Sequence, residues 1–82
     1  MISYKGGNGP TKQEAVVILG AENEAEGVDA EYAWLDDKYG EYEIVSQEFI
    51  GEADKQYDLL RIQLPDESRK EIWFDITGFY GR

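Results

Sequence analysis

The sequence contains no cysteine and no histidine, only two prolines, and 8 basic residues against 18 acidic ones. Each shortage excludes something. Without His or Cys there is no Ser-His-Asp or Cys-His nucleophile, no zinc site built from nitrogen and sulfur ligands, no disulfide framework and no thiol redox chemistry. The formal net charge of −10 argues against contact with a nucleic-acid backbone, which requires basic side chains to displace phosphate counterions. Long apolar runs are missing as well: Ala15–Leu19 is the longest, far short of the roughly 18–20 residues of a membrane-spanning helix. The segment Met1-Ile2-Ser3-Tyr4-Lys5-Gly6-Gly7 lacks the pattern of a secretory leader, so a cytoplasmic location is the expectation.

What is present is an ordinary globular composition, 41% hydrophobic and 13% aromatic, over 82 residues. That length accommodates one domain, residues 1–82, with a small core. Two Trp, six Tyr and three Phe must supply much of its buried area, at about 150–250 Å² each. The acids are spread from Glu14 to Asp75 instead of gathered in a tail. Such spacing suits solubility first; a surface complementary to a basic protein is the second reading, and the charge alone sets no binding site.

Along the chain, Ile2-Ser3-Tyr4 reads as a short strand and Gly6-Gly7-Asn8-Gly9-Pro10 as a glycine loop. Thr11-Lys12-Gln13-Glu14 has the form of a helix capping box. Ala15–Leu19 fits either a short helix closed by Gly20 or, as the β-branched Val16-Val17-Ile18 favours, one turn followed by a buried strand. A helix is expected over residues 25–39, capped by Asn23 with Glu26 or by Asp29 and stopped by Gly40. Its apolar stripe is Val28, Tyr32, Leu35 and Tyr39; Glu31, Asp36 and Asp37 fall beside or opposite that stripe, and Trp34 on its flank.

The remainder reads as an antiparallel meander with strands at 42–50, 57–64 and 70–77. Leu60, Ile62 and Leu64 share one face, as do Ile72, Phe74 and Ile76. A loop closing between Leu64 and Lys70 pairs Ile62 with Ile72 and Leu60 with Phe74 inside, and Arg61 with Trp73 outside. The fold class is therefore α+β: one amphipathic helix, with Tyr32 and Leu35 buried, packed on a four-stranded, mainly antiparallel sheet. The element order is β-β-α-β-β-β with a short first strand.

Candidate chemistry is sparse. Gly7-Asn8-Gly9 lacks the third glycine of a dinucleotide fingerprint, and Gly9-Pro10-Thr11-Lys12 is not a P-loop ending. Ser3, Ser46 and Ser68 have no histidine to activate them, and the lysines sit in acidic surroundings that keep them charged. No catalytic residue, metal ligand or cofactor is therefore assigned, and an enzyme is not expected. The acids Asp36, Asp58, Glu71 and Asp75 would support a carboxylate enzyme or a divalent-metal site only if a pocket gathered at least two of them. More suggestive is the outer sheet face, where Tyr57, Leu59, Arg61 and Trp73 form an aromatic and cationic patch of the composition found at interface hot spots. Trp34, beside Glu31 and Lys38, is a second candidate. Cross-strand pairs of these types also stabilise a sheet without a partner. The leading expectation is a small acidic interaction module, of inhibitor, immunity or regulatory-subunit type, with a basic protein as partner. Homo-oligomerisation through the same face is the structural alternative.

Overall fold

A computed structural model describes all of residues 1–82. Strand β1 (Ser3–Gly6) leads through a 3-10 turn (Lys12–Glu14) into β2 (Val16–Leu19), helix α1 (Glu24–Tyr39), β3 (Glu43–Gly51), β4 (Gln56–Gln63) and β5 (Arg69–Asp75). The class is α+β, with one helix on one sheet. The sheet, however, has five strands rather than four, in the order β1-β2-β5-β4-β3. It is mixed: β2 runs parallel to β5, with Val16 opposite Phe74 and Val17 opposite Asp75, and every other pair is antiparallel. The short first strand is a full member, pairing Tyr4 with Ile18.

Local chemistry sets the element boundaries. Thr11 caps only a single turn, its hydroxyl accepting from the Glu14 amide at 3.3 Å; the β-branched residues that follow extend into β2. Asn23 caps α1 by accepting from the Glu26 amide at 2.9 Å, and Gly40 ends it with φ +74°, a conformation that favours glycine.

The meander is tighter than the sequence pattern implied. Leu64 and Ser68 close the β4–β5 loop through a 2.8 Å backbone bond, with Glu67 at φ +70° and Asp66 Oδ1 accepting from both the amide and hydroxyl of Ser68. Closing there slides β5 by two residues relative to the expected register. Leu60 faces Ile72, Asp58 faces Phe74, Leu59 faces Trp73, and Arg61 faces Glu71 instead of Trp73. A shift of two preserves side-chain alternation, so the expected inner residues remain inside.

Leu60, Ile62, Ile72 and Phe74 are buried with Val16, Ile18, Ile76 and Phe79 beneath the helix. Each such side chain contributes about 1.5–3 kcal/mol by leaving water. The helix, though, is rotated by about one 100° step from the expected stripe. Gly27, Ala30, Glu31 and Leu35 face the sheet, whereas Tyr32, expected in the core, is 37% exposed. The cause lies outside the helix. Phe79 occupies the space beside Gly27, where any side chain would collide with its ring, and Tyr4 donates from its hydroxyl to the Ala30 carbonyl at 2.7 Å. Both contacts draw the Gly27–Ala30–Glu31 side of α1 onto the sheet.

Candidate functional site

On the sheet face opposite the helix, register and alternation bring together Tyr57, Leu59 and Arg61 of β4 with Trp73 of β5. Tyr57 and Trp73 meet edge to face, with ring centroids 5.8 Å apart and an interplanar angle of 82°. Only part of this group is accessible. Tyr57 is 7% and Leu59 3% exposed, whereas Trp73 and Arg61 are half-buried.

The β1–β2 connection runs against this group. The Gly9 carbonyl accepts from the Trp73 amide at 2.7 Å, with Gly9 at φ +85° and no room for a side chain against Ile72. Beyond it, Lys12 reaches across the face to pair with Glu52 in the β3–β4 turn. Lys12 and Gln13 consequently line the same shallow cleft, of about 330 Å³, as Tyr57, Lys55 and Asp75. Leu59 is shielded by Trp73, its neighbour across the strands.

Arg61 lies between two glutamates. Its Nε donates to Glu71 at 2.8 Å and its guanidinium approaches Glu48 and the Ser46 hydroxyl at 3.4 Å. The bond to Glu71 is the main influence holding its pKa above the ordinary arginine value. The lysines behave similarly: Lys12 is raised chiefly by its bond to Glu52 and Lys55 by its bond to Asp75, as the acidic composition implied. Asp75 is buried on this face and also accepts from the Thr77 amide at 3.0 Å.

Trp34 does not join the patch. It packs on the helix side, edge-on to Phe74 with centroids 5.6 Å apart and next to Tyr39, while Lys38 Nζ sits 5.8 Å from its ring centroid.

The acids divide differently from the sequence pattern. A cleft of about 820 Å³ holds Asp36, Glu41, Glu43 and Glu67 around Tyr42. Tyr42 donates to Asp36 at 2.7 Å, and its pKa is pushed up to about 12, first by burial and then by that bond. Of Asp36, Asp58, Glu71 and Asp75, the two clefts contain one each. No group of three or more acids has the arrangement of a metal site.

Glu31 is the residue that sequence reasoning missed. Expected beside the apolar stripe, it is 0% exposed, and neither carboxyl oxygen has a hydrogen-bond partner. Its pKa is raised to about 10, first by burial and then by the neighbouring carboxyl of Asp58 on β4. Glu31 is thus neutral at physiological pH, holding a proton in the core. No local pattern marks it, because the spacing of Val28, Tyr32 and Leu35 places it outside the apolar stripe.

No helix is long and apolar enough to cross a membrane. No family model, no curated protein and no solved structure matches the chain.

Proposed function

We propose that this chain is a small acidic, non-catalytic interaction module of the inhibitor, immunity or regulatory-subunit kind. It acts in the cytoplasm and engages a basic protein through the outer sheet face around Trp73 and Arg61. One observation carries this reading. Trp73 meets Tyr57 edge to face and remains half-buried on the same face as Arg61, which already pairs with Glu71 and Glu48. Trp and Arg dominate interface energetics when their geometry is set before binding, since less side-chain freedom is then lost on association. The flanking glutamates and the net charge of −10 select a partner of opposite sign.

The test is capture of partners from the native lysate at low and high salt, comparing the wild-type chain with Trp73→Ala. The expected result is a partner released by salt and lost with the variant, whose fold persists because Trp73 lies outside the main core cluster. Salt-insensitive capture that is unchanged by Trp73→Ala would falsify the proposal.

A further inference from the structure

Strand β3 is nine residues long, the longest in the sheet, yet it contributes no side chain to the buried core cluster. It lies at the sheet edge and pairs only with β4, so the backbone groups on its far side form an open ladder. Ile44, Val45 and Phe49 are exposed along it. Phe49 is 48% exposed and stacks on Tyr80, itself 46% exposed, with centroids 4.8 Å apart. An open edge with apolar side chains is a template for another strand, and proteins commonly blunt such edges with lysine, a bulge or a covering element. Here there is a bulge between Ile44 and Ser46, but no lysine.

Charge decides what the edge admits. From Tyr39 to Asp54 there is no Lys or Arg, while Glu41, Glu43, Glu48, Glu52 and Asp54 are all acidic. A second copy would bring the same acids and a further −10, which opposes self-pairing. The two sides of the strand are also distinct. Ile44 and Phe49, opposite Ile62 and Asp58, share the helix side; Glu43 and Glu48, opposite Gln63 and Leu59, share the outer side.

We propose that β3 accepts an extended basic segment of a partner protein as a sixth strand, with apolar side chains toward Ile44 and Phe49 and Lys or Arg toward Glu43 and Glu48. This rests on the basic-partner reading above and adds the mode of binding and the sequence pattern recognised. The edge is continuous with the outer face, because Glu48 and Ser46 of β3 both reach Arg61. Backbone pairing supplies affinity in this mode, and alternate side chains supply selectivity.

The probe is a fluorescent synthetic peptide of alternating Lys and Val, matching the nine residues of β3 in length. Titration into the full chain is expected to give saturable one-to-one binding that slows hydrogen exchange of β3 amides. Affinity should fall about tenfold or more in Glu43→Lys/Glu48→Lys, and binding by the unsubstituted chain should weaken in high salt. The same peptide N-methylated at alternate residues should not bind. Three results would overturn the proposal: no binding up to about 1 mM, the weak-affinity limit; equal binding of the N-methylated peptide, which would mean charge attraction without strand pairing; or a dimer by sedimentation with β3 amides already protected, which would identify a second copy as the occupant. None of these affects the Trp73→Ala capture result, so failure here is distinguishable from failure of the broader reading.

Discussion

Replacing Glu31 with Gln should stabilise the protein, by an amount that depends on pH in a defined way. In the fold the carboxyl retains its proton up to about pH 10, whereas the unfolded chain releases it near its ordinary value of 4.5. The folded state therefore binds one more proton than the unfolded state throughout that interval, and stability falls as pH rises, by ~1.36 kcal/mol per pH unit. Below about pH 4.5 both states are protonated and the penalty vanishes. At neutral pH the fold has paid for two and a half such units, about 3 kcal/mol, a large share of the stability of a domain this small. Gln keeps the shape, carries no ionisable proton and offers an amide that can donate to Asp58. Its advantage over the wild type should be small near ~pH 4 and reach about 3 kcal/mol near ~pH 7. Urea denaturation followed by the fluorescence of Trp34, packed on Phe74, measures this directly. With a slope of about 1 kcal/mol/M, the midpoint should rise by roughly 3 M at neutral pH. A difference between the two proteins that stays constant across that pH range would show that Glu31 gains no proton on folding, and the assignment of a neutral buried acid would fall.

Gly27→Ala should destabilise the protein by about 1–3 kcal/mol, because the added methyl would enter the space of the Phe79 ring. Helix propensity alone gives the opposite sign, a gain of about 1 kcal/mol, so the direction of the melting shift decides between the two effects. Asn23→Ala removes the acceptor for the Glu26 amide and should cost about 0.5–2 kcal/mol in chemical denaturation; no loss would mean that the cap contributes nothing to the start of α1.

The elements whose signals are local were legible in the sequence. Asn23 and Gly40 bracket the helix as expected, the β-branched run after Ala15 forms a strand, and alternation along β4 and β5 identifies the inner residues. The β4–β5 register was not legible, because Pro65-Asp66-Glu67-Ser68-Arg69 is compatible with closure at Ser68 or two residues later. Bonds from Ser68 to Asp66 and the conformation of Glu67 select the shorter loop. The candidate residues Tyr57, Leu59, Arg61 and Trp73 share the outer face as their alternation implied, but their pairing was not legible. Arg61 pairs with Glu71 and Glu48, while Trp73 packs on Tyr57 and Leu59.

By itself the sequence determined the absence of His- and Cys-based chemistry, the α+β class, the position of its helix and the inner side of its meander. Composition, capping residues and two-residue alternation are properties of neighbouring residues, so they can be read without knowing where the rest of the chain lies. Tertiary structure decided the parallel pairing of β2 with β5, the rotation of α1, the burial of Glu31 beside Asp58 and the open edge at β3. Each depends on segments far apart in sequence competing for the same space. Phe79 against Gly27 and Tyr4 against Ala30 turn a polar residue inward, and the sheet order places a long acidic strand at an edge that pairs with no further strand.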